Sequence, residues 1–318
     1  MKKLISVIGP MYNEESLVKE FCNRIAAVFE SLSGGYTYEI LLVNDGSRDS
    51  TLEKMVEEVK RRPGIVTVVN LSRNFGLEGA LRAGLRSASG DAVVVMDADL
   101  QDPPHVLPRL IEKWEQGADI VNGRREKRLY DNFFKRLSSK IFYKMLGIMS
   151  GKLAMTGDVA NFRLLGRKAV DLLLSLPEVN PVFRVQVPFI GMKTDEVTYS
   201  RTERHSGQTK YNLENMIPYA MNSITGLSVV PLRKIAYGCP FSLLSAFLFI
   251  LLSIFSSGYW RAAFLVCAVL GLFSFVLFAA LAIMSEYIGQ IMTEVKRRPA
   301  SIIYETIRHE NIASKEGA

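Results

Sequence analysis

Ala92-Val93-Val94-Val95-Met96-Asp97-Ala98-Asp99-Leu100-Gln101-Asp102-Pro103-Pro104 sets an uncharged, β-branched run directly against three carboxylates and a proline pair. An apolar run without polar alternation marks a strand buried on both faces, as in parallel sheets covered by helices. The two prolines suit the first turn of a following helix, Pro103–Gln116. The same alternation surrounds this stretch. Leu4-Ile5-Ser6-Val7-Ile8 precedes helical spacing over Glu15–Ser31, and Tyr38–Val43 precedes a helix announced by Asp49-Ser50-Thr51. Val66–Val69 leads into a helix from Gly76 to Ser87, and Asp119-Ile120-Val121 closes the series. Strand–helix alternation of this kind predicts an α/β domain: a Rossmann-like, doubly wound, mainly parallel sheet.

The polar residues sit at strand ends. Tyr12-Asn13-Glu14-Glu15 follows the first strand, Asn44-Asp45-Gly46-Ser47 the second and Asp97–Pro104 the fourth. In a parallel sheet these clusters share the carboxyl edge, where ligands of such folds bind. Each cluster alone is ordinary cap and turn chemistry; three on one edge point to a site. Two carboxylates spaced as Asp97 and Asp99 can share a hard divalent cation and leave positions for phosphate oxygens. Asp45 is placed to accept a hydrogen bond from a nucleoside. Neither a Walker loop nor a Gly-x-Gly-x-x-Gly turn is present, so glycines do not cradle the phosphates.

Charge and hydropathy divide the chain. Its 318 residues carry a net charge of +7, and 48% are hydrophobic, which excludes a disordered or fibrous protein. The cysteines Cys22, Cys239 and Cys267 are too few and scattered for a disulfide framework or zinc site, as expected of a reducing compartment such as the cytoplasm. From Ile235 to Ser285 the sole charged residue is Arg261. It lies between two apolar runs, Ile235–Ser256 and Ala262–Met284, joined by the polar turn Ser256–Arg261. Each run has about 22 residues, enough to cross about 30 Å of hydrocarbon. Arg233 and Lys234 before this hairpin, and Lys296, Arg297 and Arg298 after it, place both ends in the cytoplasm by the positive-inside rule. The start Met1-Lys2-Lys3 is followed by too short an apolar run for a signal peptide.

Two amphipathic stretches, Asn132–Met149 and Glu214–Val230, have the spacing of helices lying in a membrane interface. The first carries Arg136, Lys140 and Lys144 as a basic stripe. Between Arg124 and Lys144 eight basic residues face only Glu126 and Asp131, so this segment holds six of the net positive charges. That address suits an anionic lipid surface and removes the case for nucleic acid. The expected organisation is a nucleotide-binding core over 1–130, a part with amphipathic interfacial helices over 131–230, two transmembrane helices over 231–290 and a cytoplasmic tail over 291–318. The expected location is the cytoplasmic membrane, multi-pass, with the α/β domain and both termini inside.

Several motifs together resemble family 2 glycosyltransferases. They are Pro10-Met11-Tyr12-Asn13-Glu14-Glu15, Val43-Asn44-Asp45-Gly46-Ser47-Arg48-Asp49, Ser72-Arg73-Asn74-Phe75-Gly76 and Asp97–Pro104. Asn161-Phe162-Arg163-Leu164, Gly207-Gln208-Thr209-Lys210-Tyr211, Glu286-Tyr287-Ile288-Gly289 and Glu294–Pro299 extend the likeness to the polyisoprenyl-phosphate branch of that family. The resemblance implies a GT-A fold that binds a nucleotide-diphosphate sugar along Pro10, Tyr12, Asn13, Glu14, Asp45, Arg73, Asp97, Ala98 and Asp99. It implies Mg2+ or Mn2+ on Asp97, Asp99 and Gln101, with Asp97 also facing the ribose. Arg204, Lys210 and Arg163 become candidates for phosphate charge. The acceptor it implies is a polyprenyl phosphate, the transfer inverts the anomeric carbon, and the chain forms a homo-oligomer, a tetramer. Glucose and N-acetylglucosamine lead among the sugars.

Two positions depart from that pattern. Many bacterial relatives carry an acidic residue where Asn161 stands, and an amide cannot take a proton. Asp158 is the nearest carboxylate to replace it as base; the other possibility is that an ionised phosphate needs no base. Gln290 stands where relatives carry arginine. A processive polysaccharide synthase shares the domain, but its Gln-x-x-Arg-Trp motif is absent. A catalytically inactive scaffold is opposed by intact Asp45, Asp97, Asp99 and Gln101.

Overall fold

The computed structural model describes residues 2–32, 35–126, 159–178, 182–200 and 259–316. They fall into two units. The first comprises Met1–Arg136, Met155–Lys210 and Arg298–Ala318. The second comprises Leu137–Ala154 and Tyr211–Arg297.

The first unit is built on β1 (Lys3–Met11), α1 (Val18–Ser31), β2 (Tyr36–Asn44), α2 (Thr51–Arg61), β3 (Val66–Leu71), α3 (Gly76–Ser87), β4 (Ala92–Val95) and α4 (Leu107–Glu115). It continues with β5 (Ile120–Arg125), β6 (Val159–Gly166), α5 (Arg167–Ser175), α6 (Phe183–Phe189) and β7 (Thr194–Tyr199). The strands join one sheet in the order β7-β5-β6-β4-β1-β2-β3, with an eighth strand beyond β3. Parallel pairing links β1 to β2 and β4, and β2 to β3. These are the strands whose apolar runs the sequence predicts.

Side chains alternate across each strand, so one sheet feeds two cores. Ile5, Val7, Val94 and Met96 pack with Phe21, Ile25, Met55 and Leu110 from α1, α2 and α4. Ile8, Val43, Val93 and Val95 pack with Leu81, Val170 and Val187 from α3, α5 and α6. Phe21 is fully buried; burying such a ring is worth about 1.5–3 kcal/mol over leaving it in water.

The sheet is more mixed than the series of predicted strands suggests. Strand β6 runs antiparallel between β4 and β5, so Ile120–Arg125 does not continue the parallel row beside β4. The chain end adds β8 (Ile303–Ile307), antiparallel to β3. The Ser72 N–H donates to the Ile302 carbonyl at 3.0 Å, and Asn70 Nδ2 donates to Glu305 at 3.3 Å. Part of the 291–318 tail is therefore an edge strand of the main sheet, followed by α8 (His309–Glu316). Two exposed and three half-exposed residues show little alternation of their own; the free edge of β3 makes them a strand.

In the second unit the described element is α7 (Tyr259–Lys296), 38 residues long. It contains the apolar run Ala262–Met284. The helix already includes Tyr259, Trp260 and Arg261, so the predicted turn over Ser256–Arg261 ends earlier than expected. It also runs past residue 290, stopping where Arg297 takes a left-handed φ of 49° just before Pro299. Leu270, Phe273, Leu277, Leu281, Ile288 and Ile291 along it are exposed. Counting only described residues, no helix is long and apolar enough to cross a membrane; several side chains in the first half of α7 lie outside that count. The run Ile235–Ser256 and both amphipathic stretches, Asn132–Met149 and Glu214–Val230, lie outside the described residues.

Candidate active site at the carboxyl edge

The ends of β1, β2 and β4 are neighbours in the sheet, so the three polar clusters meet. Asn13 follows β1 with φ 54°. Its N–H donates to Ser47 Oγ at 3.1 Å, and its side-chain Oδ1 accepts the Arg48 N–H at 2.8 Å. The Glu14 N–H donates to Thr51 Oγ1 at 2.9 Å. Asn13 and Glu14 thus spend backbone and amide groups tying the two loops together. Pro10 is half-buried near the end of β1, ahead of the buried Met11, and Tyr12 just past the strand is half-buried.

Asp45 is 4% exposed. Its Oδ1 accepts the Phe75 N–H at 2.7 Å and its Oδ2 accepts the Gly76 N–H at 3.0 Å. Helix α3 has no side-chain cap of its own, so Asp45 caps it from a neighbouring strand end. Burial pushes the Asp45 carboxyl up to about 6, against the pull of both N–H groups and of Arg73. Arg73 stands on the exposed side of that loop with its guanidinium 4.1 Å from the Phe75 ring centre.

Beyond β4 the chain turns sharply. Asp99 Oδ1 accepts the Gln101 N–H at 3.1 Å, and the buried Leu100 between them has φ 56°. A bulky residue in left-handed backbone is strained, as is common at ligand sites. Ala98 is buried at 5% exposure between the half-buried Asp97 and Asp99, whose carboxylates are close enough to interact electrostatically. Burial, with the Asp102 and Asp99 carboxylates, pushes Asp97 up to about 6, while Arg125 and Arg184 oppose the shift.

Asp102 holds this turn to the rest of the sheet. It is fully buried and accepts hydrogen bonds from Arg125 Nε and Nη2 at 3.1–3.3 Å and from the Tyr199 hydroxyl at 2.6 Å. Burial and that carboxylate push the Tyr199 phenol above its usual range. Its ring meets Phe162 edge-on at 5.5 Å. Tyr199→Phe is expected to lower stability by about 1–2 kcal/mol, read as an earlier denaturation midpoint.

Arg163 stands behind the edge rather than on it. It is 2% exposed, with its guanidinium 4.9 Å from the Phe183 ring centre. Burial, then the neighbouring Arg184, push it down to about 9, while Glu78 opposes. Asp158, Arg204 and Lys210 lie outside the described residues. Glu78, Arg184 and the Asp102–Arg125–Tyr199 contacts escape the sequence reading. Glu78 looks like any acid in a helix's first turn, and nothing local marks Arg184. The proximity of Asp102 to the aspartate pair is the one signal that pointed toward its cluster.

The donor set suits a hard divalent cation. Asp97 and Asp99 offer oxygen ligands, and their mutual crowding with Asp102 would be relieved by positive charge. Among the described residues no group of three or more His, Cys, Asp or Glu side chains converges on a metal position. Mg2+ commonly takes only one or two carboxylates and completes its shell with water and substrate phosphates.

Known proteins give the same picture. The chain is 37% identical over 309 residues to the SfII prophage-derived bactoprenol glucosyl transferase of Shigella flexneri, covering 96% of this chain and 98% of that protein. It is 32% identical over 320 residues to the undecaprenyl-phosphate 4-deoxy-4-formamido-L-arabinose transferase of Klebsiella pneumoniae, covering 99% and 97%. The glucosyl-3-phosphoglycerate synthase of Mycobacterium tuberculosis, solved with Mn2+, UDP and glucosyl-3-phosphoglycerate, superposes with a TM-score of 0.51 at 22% identity, covering 70% of this chain and 78% of that one. That likeness shows a shared GT-A fold. The pattern of glycosyl transferase family 2 matches residues 6–174, and with relatives this similar over almost its whole length, the chain belongs to glycosyl transferase family 2.

Proposed function

We propose that the protein transfers a single sugar from a nucleotide diphosphate, UDP-glucose or UDP-N-acetylglucosamine, to a polyprenyl phosphate such as undecaprenyl phosphate. The transfer inverts the anomeric carbon and takes place at the cytoplasmic face of the membrane. Its product is a lipid-linked sugar donor for envelope glycosylation. The observation that carries this reading is the Asp97–Asp99 pair at the carboxyl edge beside the Asp45 loop, in a chain that resembles polyprenyl-phosphate transferases end to end.

In this reading the nucleoside lies along Pro10–Glu14 and the Asp45 loop, and Arg73 meets the donor from the exposed side. Asp97, Asp99 and Gln101 hold Mg2+ or Mn2+, whose chemistry is Lewis-acid stabilisation of the departing diphosphate. The acceptor phosphate, with a second pKa near 6, is largely ionised at neutral pH. It attacks without a strong base, so Asn161 is tolerable there, and positioning with charge stabilisation supplies the rate. Arg204 and Lys210 add cations for its phosphate.

A lipid phosphate stays at the bilayer surface, and the rest of the chain suits that restriction. The uncharged run inside α7 and its exposed Leu270, Phe273, Leu277 and Leu281 fit hydrocarbon contact. With Ile235–Ser256 it forms the two-span hairpin, with both termini cytoplasmic. The basic excess over Arg124–Lys144 meets anionic headgroups. The working assembly is a homo-oligomer, a tetramer.

The test is incubation of the purified full-length protein with labelled nucleotide sugars, Mg2+ or Mn2+, and undecaprenyl phosphate. A labelled, chloroform-soluble glycolipid is expected. Its absence with every common nucleotide sugar would overturn the reading, and a water-soluble polymer instead would assign the chain to the processive synthases.

A further inference from the structure

Behind the carboxyl edge, three elements meet on one polar cluster: the first turn of α3 with Glu78, the strand β6 with Asn161 and Arg163, and α6 with Phe183 and Arg184. Arg163 pairs with Val95 in the antiparallel ladder of β4 and β6. The ladder ends at that pair; Asn161 lies two residues before Arg163 on β6, and Asp97 lies two residues past Val95, just beyond the end of β4. Alternation along β6 turns Asn161 and Arg163 to the same face, the one covered by α3 and α6.

The cluster is tightly held. Asn161, 2% exposed, accepts a hydrogen bond from Arg184 Nε at 2.9 Å through its Oδ1. Glu78 accepts the Phe183 N–H at 2.8 Å, fixing the start of α6 to α3. Arg163 lies over the Phe183 ring. Arg163 and Arg184 thus share the surroundings of one buried carboxyl, Glu78, and the cluster carries an excess of positive charge. Arg184 is half-buried, and its charge acts on the Asp97 carboxyl. Among the described residues its hydrogen bonding to Asn161 uses Nε alone, which leaves the terminal nitrogens of the planar fork for another partner.

We propose that Arg184 contacts substrate: held by Asn161, its terminal nitrogens donate to a phosphate oxygen at the reacting centre, and Asn161 is its positioning residue. The inference rests on the glycosyltransferase reading and deepens it. The phosphate is either the donor's diphosphate or the acceptor's monoester, since both must come close to Asp97. Arginine suits this task because one edge of its fork can be anchored while the other binds an oxyanion. The amide at position 161 then has a role of its own. What the position supplies is an oxygen that orients a guanidinium, and an amide does this as a carboxylate would, with no proton to transfer.

The experiment uses the full-length protein with a labelled nucleotide sugar, Mg2+ and undecaprenyl phosphate, and measures UDP binding separately by calorimetry. Arg184→Ala should lower kcat/KM by about 10²–10³-fold, with Arg184→Lys regaining only part of the loss. Asn161→Leu should lower it by at least about tenfold, and Asn161→Asp, which restores an acceptor oxygen, should recover most of that loss. A merely structural asparagine would not show this rescue at equal thermal midpoints. Weaker UDP binding by Arg184→Ala assigns the contact to the donor diphosphate. Intact UDP binding with a raised KM for undecaprenyl phosphate assigns it to the acceptor. Arg184→Ala within about twofold of the parent rate overturns the inference. Should that variant not fold, equal rates for Asn161→Leu and the parent overturn it instead. A parent protein inactive with every donor defeats the function reading, whereas an active parent with an unaffected Arg184→Ala defeats this inference alone.

Discussion

Asp99→Ala is expected to lower glycolipid formation by about 10²–10³-fold, the loss typical of removing one preorganised group that stabilises transition-state charge. Asp99 has two tasks. Its carboxylate is one half of the oxygen pair that suits the cation, and its Oδ1 accepts the Gln101 N–H across the strained Leu100. Alanine removes both. Asp99→Asn separates them, because the amide oxygen still accepts that N–H while the negative charge is gone. The isosteric variant should therefore keep its thermal midpoint and yet need at least about tenfold more Mn2+ or Mg2+ for half-maximal rate. Initial rates over a metal titration read this directly. A parent-like rate and metal requirement for Asp99→Asn would falsify the metal assignment.

The second large effect is on stability and comes from a residue with no side chain. Gly46 has φ +67°, and a Cβ there would lie 2.5 Å from both Arg73 C and Asn74 N. Those are backbone atoms of the loop that Asp45 holds through Phe75 and Gly76, so neither partner can yield without breaking the cap of α3. Gly46→Val is expected to cost about 3 kcal/mol or more, combining left-handed strain with a backbone clash. For a domain of this size that is a fall in Tm on the order of 10 °C. UDP affinity should fall with it, since the proposed nucleoside position lies along this loop. Gly64 provides the internal comparison. It has φ +77°, and a Cβ there would meet nothing within 4 Å, so Gly64→Ala should cost only about 1 kcal/mol. Equal losses at the two positions would show that strain alone, not the close approach to Arg73 and Asn74, makes Gly46 necessary.

The parts of the fold legible in the sequence are those whose burial is complete. Strands β1 to β4 each carry an apolar run covered on both faces, and their helices repeat apolar residues toward the sheet. Such patterns are local, so they can be read without knowing the partner. Strand β6 escaped because Phe162, Leu164 and Leu165 are separated by the buried Arg163, which interrupts the apolar run. Strand β8 escaped because Ile303–Ile307 is largely half-exposed and takes its conformation from the ladder to Val68–Leu71.

For the site, the division follows the range of the interaction. Asp45, Asp97, Asp99 and Gln101 were visible because each follows a readable strand, and parallel strands bring their carboxyl ends to one edge by connectivity alone. The placement of Arg184 against Asn161 depends on the antiparallel insertion of β6 beside β4 and on the Glu78 anchor of α6, contacts that join residues 23 and 105 positions apart. The sequence by itself determined the α/β core, the edge that carries the carboxylates and the apolar run within α7, because periodicity and composition act over neighbouring residues. Only the tertiary structure decided that the chain end closes the sheet beside β3, that Asp45 caps a helix from another strand, and that a buried amide holds an arginine whose charge acts on Asp97, because each of these is an interaction between groups that share no local pattern.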